Sequence, residues 1–410
     1  MIPMHVVVLQ RPGSTAAYDC WILRAAPWAR VTVITSRDTV RPDSVLGPGV
    51  RRVLVDDYES DAVPAELFRI CGQDPPDRVF ANSEDDVLRA AEARTLFGIE
   101  GQRSGSALAF RDKVAMKTLF AGMATPPVPH RLVGCVDDVF AARREFGEVV
   151  VKPRDGAGAV QVRVFRDDDE VRRACVADPG LVTSLHTGRL MAERYVAGSV
   201  YHVDVVVDGS TALLVSPSRY TCPPHRYGTD NMGSIMLDDP SPAHRLLSGA
   251  AREFVRRLPA GHGVSVLHLE FLRDEAGRFF AGEVACRSGG ALIKNSIQYT
   301  YGVDTSRLAC LVGVGLWRDA RELVPVAART GWLLWTGGPR LAVPADRPDW
   351  LIEHAVSDRP GVATSSVDGR AAFLVCGADE SEIARRFDAL RADDPSATAT
   401  PIEPVLRGSA

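Results

Sequence analysis

Two short apolar segments, VSVLHLEFL (264–272) and RFFAGEVAC (278–286), flank a DEAG turn and carry acidic residues within them. Runs of this length bounded by a Gly-containing turn predict the two strands of a hairpin. Side chains two apart on a strand share a face, so His268 lies with Glu270, and Glu283 lies with Ala285 and, where extension persists, with Arg287. Pairing across the turn brings Glu270 and Glu283 together. Adjacent buried carboxylates repel, and a divalent cation is the usual remedy. Magnesium is satisfied by one or two carboxylates plus phosphate oxygens, so the hairpin points to a metal–nucleotide site. The competing reading is a pair of solvent-facing glutamates.

The lysines separate these readings. Only Lys113, Lys117, Lys152 and Lys294 occur among 48 basic Lys and Arg residues. Arginine evidently serves wherever a surface positive charge is enough. A retained lysine is then a candidate for a compact point charge against phosphate. Lys152 closes the strand VVVKP (149–153), just before the loop RDGAGA (154–159). Gly156, Ala157, Gly158 and Ala159 let backbone N–H groups approach phosphate oxygens, although a plain turn has the same composition. Lys113 opens the helix DKVAMKTLFA (112–121), which Gly122 and Pro126-Pro127 stop.

Around these motifs the chain has the make-up of an ordinary soluble α/β protein of two or three domains, with 46% hydrophobic and 24% charged residues. A net charge of −4 gives no support to nucleic-acid binding. No apolar run approaches the ~18 residues of a membrane span. Eight dispersed cysteines without a CxxC pair imply reduced thiols in a cytoplasmic protein. HVVVLQRPG (5–13), VTVIT (31–35) and RVFAN (78–82) read as strands alternating with helices near 14–27 and 84–97, an open parallel unit without GxGxxG. Further on, VQVRVF (160–165), LMAERYV (190–196), VYHVDVVV (200–207) and TALLVS (211–216) read as antiparallel strands. A Pro-, Arg- and Tyr-rich loop (216–234) precedes a helix from 243 to 258. Another helix is expected near 303–317, then strands at WLLW (332–335), RLAV (340–343) and AFLVC (372–376), a last helix near 380–391 and a low-complexity tail.

Taken together, this order resembles the ATP-grasp superfamily, and within it the carboxylate–amine ligases that join amino acids. VFANSEDDVLRAAEARTLFGIEG (79–101), RDKVAMKTLFAGMATPPVP (111–129), VVVKPRDGAGAVQV (149–162), MAERYVAG (191–198), HLEF (268–271) and GEVACRSGG (282–290) carry the likeness. The resemblance implies an α/β protein with α+β lobes, in four parts. These are an N-terminal open parallel α/β domain (1–108), a small lobe with the phosphate loop (109–190), a large lobe with metal and catalytic strands (191–318), and a small C-terminal β-rich module (319–410).

It also implies a reaction. A carboxylate attacks the γ-phosphate of ATP, and the acyl phosphate is captured by an amine with release of ADP and phosphate. The cofactors implied are ATP with Mg²⁺, or Mn²⁺ in its place. Lys113, Lys152, Gly156, Gly158, Ala159, Glu193, Tyr195 and Val196 would hold the nucleotide, Glu270 and Glu283 the metal. Arg287 and Lys152 would be catalytic. Glu84, His268, Arg219, Tyr220, Arg226 and Lys294 are candidate substrate contacts. A carrier-protein thiol or a larger biosynthetic amine is the alternative acceptor, a non-catalytic nucleotide-binding protein the rival class, and a homodimer remains open. Two positions depart from the family. Its catalytic strand reads Glu-x-Asn-x-Arg, but the middle residue here is Ala285, with water as the available substitute on the metal. Its ribose-binding glutamate is Val200, with His202 or Asp204 as stand-ins.

Overall fold

A computed structural model describes residues 3–12, 14, 16–37, 49–319, 321–344, 346–356 and 369–391. The first sheet is all parallel, in the order β3-β2-β1-β4: β1 (His5–Leu9), β2 (Arg30–Ser36), β3 (Val50–Val55) and β4 (Arg78–Phe80). Helices α1 (Tyr18–Ala25), α2 (Ala62–Gln73) and α3 (Asp86–Phe97) connect and cover it. The central strand HVVVL is buried throughout, as a strand covered on both faces must be. Sequence reading finds β1, β2 and β4 but passes over β3 and α2. The sequence of β3 is VRRVLV, whose paired arginines interrupt the apolar pattern. It is an edge strand, where charge is tolerated.

Two short helices, α4 (Ser104–Ala109) and α5 (Lys113–Leu119), lead into a four-stranded antiparallel sheet of order β5-β8-β6-β7. It comprises β5 (His130–Val133), β6 (Val149–Pro153), β7 (Arg163–Phe165) and β8 (Leu190–Arg194), covered by α6 (Val136–Phe146), α7 (Asp168–Ala177) and α8 (Pro179–His186). The expected hairpin of β6 with β7 is present. Its second strand begins later than VQVRVF suggests, because Gly158, Ala159 and Gln161 all take left-handed backbone angles, φ 62°, 60° and 59°. Two of these are not glycine, so a conformation that L side chains rarely adopt is built into the loop.

The third sheet has eight strands in the order β13-β12-β9-β10-β11-β14-β16-β15. They are β9 (Gly198–Asp208), β10 (Thr211–Tyr220), β11 (Met232–Met236), β12 (Val266–Asp274), β13 (Phe279–Ala285), β14 (Arg329–Leu334), β15 (Leu351–Val356) and β16 (Ala371–Gly377). Helices α9 (Pro242–Arg257), α10 (Ile293–Tyr301), α11 (Thr305–Gly313) and α12 (Glu380–Ala389) pack on it. The ladder of β12 with β13 sets Glu270 opposite Glu283 and His268 opposite Ala285.

Four local readings are corrected by this sheet. Residues 216–220 are ladder, not loop, because β10 runs on against β9 through Arg219 and against β11 through Tyr220. Met232–Met236 is likewise a strand. The helix expected near 303–317 is present as the shorter α11, and α10, which the sequence reading passes over, precedes it and ends at Gly302, whose left-handed φ of 70° caps it. RLAV contributes a lone bridge from Leu341 to Arg391 rather than a strand. The C-terminal strands continue the large sheet through β11·β14 pairing. The low-complexity tail lies outside the described residues. No helix among the described residues is long and apolar enough to cross a membrane.

The largest core cluster fixes α5 to the large sheet. Phe254 of α9 is 2% exposed and meets the rings of Phe120 at 5.2 Å and Phe110 at 6.3 Å. These rings bracket α5, so the first two lysines rest on this aromatic contact. Phe254→Ala should lower unfolding free energy by about 3–5 kcal/mol, read from urea denaturation, since the void cannot close between a helix and a sheet.

Candidate active site

The three sheets meet around a cavity of about 580 Å³. Its walls come from the residues that follow β4 (Asn82–Asp85), from α5, from the loop after β6, from the ends of β8 and β9, and from the β12–β13 face. This is the carboxyl edge of a parallel sheet facing a two-lobed cleft, where α/β proteins commonly take their ligands.

Five charged side chains cluster at one side of the cavity: Lys113, Lys152, Glu193 and Glu283 line it, and Lys117 lies buried behind them. Asp112 caps α5 by accepting from the backbone N–H groups of Val114 and Ala115, which sets Lys113 at the first helical position. Lys113 Nζ donates to the Gly156 carbonyl at 2.5 Å and lies 3.4 Å from Glu283 Oε2. Lys152 Nζ lies between two carboxylates, 2.5 Å from Glu193 Oε1 and 2.6 Å from Glu283 Oε1. Lys117, one helical turn after Lys113, donates to the Gly282 carbonyl at 2.6 Å and reaches Glu193 Oε2 at 3.3 Å. Burial alone would push the Glu283 carboxyl up, but Lys113 and Lys152 overcome it and hold the group well below the usual carboxylate range. Burial likewise opposes the charge on Lys152, and Glu193 with Glu283 reverses the effect and raises it. At Lys117 burial prevails over Glu193 and the ammonium is lowered.

A second charged group faces it across the cavity. Glu84 accepts from Arg287 Nε at 2.6 Å and from Arg111 Nη1 at 2.5 Å. Desolvation raises its carboxyl, but the two guanidinium groups outweigh that and hold it below its ordinary value. Arg111 also donates to the Asp155 carbonyl at 2.9 Å, which ties the loop after β6 to the segment that follows β4. Asn82 and Ser288 bridge the same gap, with the Ser288 N–H donating to Asn82 Oδ1 at 2.9 Å.

Between the two groups stands a buried relay on the large sheet. Asp204 Oδ2 lies 2.7 Å from His202 Nδ1 and Asp204 Oδ1 lies 2.9 Å from His268 Nδ1. His202 Nε2 meets Ser234 Oγ at 2.7 Å. His268 Nε2 faces Glu270 Oε1 at 3.5 Å and the Tyr220 hydroxyl at 3.4 Å. Burial disfavours an imidazolium at His268, yet Asp204 and then Glu270 reverse this and push it up to about 9.

Most of the sequence candidates converge here. Lys113, Lys152, Gly156, Gly158, Ala159, Glu193, Tyr195, Val196, Glu84, Tyr220, His268, Glu270, Glu283 and Arg287 all line the cavity. Arg219, Arg226 and Lys294 do not. Arg219 is 3.7 Å from Glu380, Arg226 pairs with Asp230 at 2.9 Å, and Lys294 sits in the first turn of α10 beyond the lining. His202 and Asp204 are turned to His268 rather than toward a ribose, and Glu193 directs both carboxylate oxygens to lysines. Sequence reading missed Lys117, Arg111, His225, Met232 and Trp332. Lysine scarcity already marked Lys117; nothing local marks the apolar residues, which other elements deliver.

No protein-family model matches the sequence. The chain is 28% identical over 287 residues to the L-arginine-specific L-amino acid ligase of Bacillus subtilis, spanning 68% of each protein. Its structure superposes on the L-amino acid ligase of Bacillus licheniformis with a TM-score of 0.71, at 16% identity over 95% of this chain and 97% of that one. With the MgADP-bound biotin carboxylase domain of 2-oxoglutarate carboxylase from Hydrogenobacter thermophilus the TM-score is 0.68, at 14% identity over 95% and 90% of the two chains. The chain has the ATP-grasp fold. In this ATP-grasp chain the five-residue charge cluster belongs to the packing of the two lobes as much as to any ligand. Glu193→Ala should therefore cost about 3–5 kcal/mol in urea unfolding, because it strands Lys117, whose side chain is 1% exposed, without its carboxylate.

Proposed function

We propose that the chain is an ATP-dependent, ADP-forming carboxylate–amine ligase that couples an amino acid through its carboxylate to an amine, another amino acid being the acceptor. One observation carries the reading. Lys113, Lys152 and the facing pair Glu270 and Glu283 line one cavity, with Lys117 buried behind them, beside a loop whose backbone is bent for close approach. That combination suits a triphosphate and little else. The 28% identical L-amino acid ligase supports the substrate class. The MgADP and ADP complexes of the biotin carboxylase and of N5-carboxyaminoimidazole synthetase from Staphylococcus aureus support the nucleotide and the metal.

The donor set fits a divalent cation. Glu270 and Glu283 are cross-strand neighbours on one face, and Glu283 is already held ionised. When bound there, Mg²⁺ neutralises phosphate charge and screens the two carboxylates from each other. Lys113 and Lys152, which pair with Glu283 in this structure, would serve phosphate oxygens as point charges able to change partner. The loop at Gly156–Ala159, whose neighbours are tethered through the Lys113 and Arg111 hydrogen bonds, would cover bound phosphates and exclude water from the acyl phosphate.

In the first step a substrate carboxylate oxygen bonds to the γ-phosphorus and the bond to the β-phosphate oxygen breaks, releasing ADP. In the second, the amine nitrogen bonds to the acyl carbon, the carbon–oxygen bond to phosphate breaks, and the nitrogen loses a proton. Arg287, aligned by Glu84, faces the charge that develops in both steps. Tyr220, Met232 and Trp332 form an apolar end of the cavity suited to a substrate side chain. The eight free thiols suit the cytoplasm.

Purified protein with Mg-ATP and pooled amino acids should release ADP and phosphate in equal amounts. Glu283→Ala and Lys152→Ala should each lower turnover by about 10²-fold or more. AMP and pyrophosphate as products, or an active Glu283→Ala enzyme, would overturn the proposal; ATP binding with no turnover on any amino acid pool would favour a nucleotide-binding protein instead.

A further inference from the structure

We propose that the amino acid whose carboxylate is activated carries an apolar, uncharged side chain, and that arginine and lysine are excluded from this role. The inference rests on the ligase reading and names the donor for the same site. Two apolar regions line the cavity, and they belong to separate hydrophobic clusters. Val196 and Leu272 pack with Val128 and Phe280. Tyr220, Met232, Ile293 and Trp332 come from β10, β11, α10 and β14, and none is more than 8% exposed. The Tyr220 and Trp332 rings meet edge to face at 6.4 Å, giving this region an aromatic wall.

The reacting groups stand beside the second region. The Tyr220 hydroxyl donates to Glu270 Oε1 at 3.4 Å, and Tyr220 lies within electrostatic reach of Arg287. A carboxylate that attacks the γ-phosphorus lies between the metal face at Glu270 and Arg287. Its side chain begins two bonds from the carboxyl carbon, so it is delivered to the nearest apolar wall, the one headed by Tyr220. Val196, by contrast, follows β8, whose residues serve the nucleotide on the same reading.

Charge decides the class of side chain. Five carboxylates line the cavity, and each is already engaged. Glu84 accepts from Arg287 and Arg111, and Asp85 pairs with Arg11. Glu193 and Glu283 are held by lysines, while Glu270 faces His268 and is a cation ligand on the ligase reading. Asp230, on the loop before β11, pairs with Arg226 and lies outside the lining. Within the second region the polar side-chain groups are the Tyr220 hydroxyl, turned to Glu270, and the Trp332 indole N–H, a donor that cannot accept from a guanidinium. A cationic side chain delivered there gives up its hydration and gains no partner. An apolar one buries its surface at no such cost. The α-ammonium group stays with the charged centre in either case and does not discriminate. The Bacillus subtilis relative is named for L-arginine; the charges of this chain exclude arginine from the donor position.

The test takes the unaltered full chain with Mg-ATP, hydroxylamine and one amino acid at a time, read by ADP release and by mass spectrometry of the hydroxamate. The hydroxylamine nitrogen bonds to the acyl carbon, the carbon–oxygen bond to phosphate breaks, and the nitrogen loses a proton. The hydroxamate therefore identifies the donor whatever the natural acceptor. Leucine, methionine and phenylalanine should exceed arginine and lysine in kcat/KM by about a hundredfold or more. Met232→Ala should raise KM for methionine about tenfold with the Kd for ADP unmoved. Hydroxamates of arginine or lysine formed as readily as those of apolar amino acids overturn the inference and leave the ligase reading intact. A Met232→Ala enzyme that binds ADP and keeps the parent KM for methionine places the side chain elsewhere and also refutes it. Absence of ADP release with every amino acid, or release of AMP, overturns both readings.

Discussion

The contact on which the rest depends is Lys152 between Glu193 and Glu283. Lys152 belongs to the small-lobe sheet, Glu193 to its neighbouring strand β8, and Glu283 to the large sheet. A single buried ammonium would be expensive, and an unpaired buried carboxylate equally so. Placing them together makes each a condition for the other. It also links the two sheets at the point where the cavity lies. The five groups of the cluster carry three positive and two negative charges, so the packed lobes leave an excess of positive charge beside the cavity. A polyphosphate can complete the neutralisation that the protein leaves unfinished.

Register turns this cluster into a site. Because side-chain direction on a strand has a period of two, a slip of one residue between β12 and β13 would separate Glu270 from Glu283 and send one of them to the opposite face. The DEAG turn and the flanking leucines and phenylalanines prevent that slip, since Leu267, Leu269, Phe271 and Val284 are fully buried on the other face. Chemistry on one face is thus secured by hydrophobic burial on the other. The same pleat sets His268 beside Ala285, so a departure from the expected strand pattern falls opposite a buried histidine.

How much was legible beforehand followed from how local each signal was. The hairpin, the lysine before its glycine loop and the capped helix DKVAMK are each written within about ten residues, and each is present in the structure. The strand VRRVLV was not legible because an edge position permits arginines that a central strand would reject. Arg219 and Tyr220 read as loop because Pro217 suggests a break, yet Pro217 lies within the β10–β9 ladder. That ladder then aims Tyr220 into the cavity and leaves Arg219 beside Glu380, an alternation no loop reading could supply.

The sequence by itself determined which elements form and which rare residues they carry, because propensity, capping and period-two patterning act over short spans of chain. Tertiary structure alone decided which charges meet. Glu84 joins Arg287 across 203 positions, and Lys117 reaches the Gly282 carbonyl across 165. The partners of a buried charge are set by desolvation and packing between distant segments, and neither quantity exists until the sheets have come together.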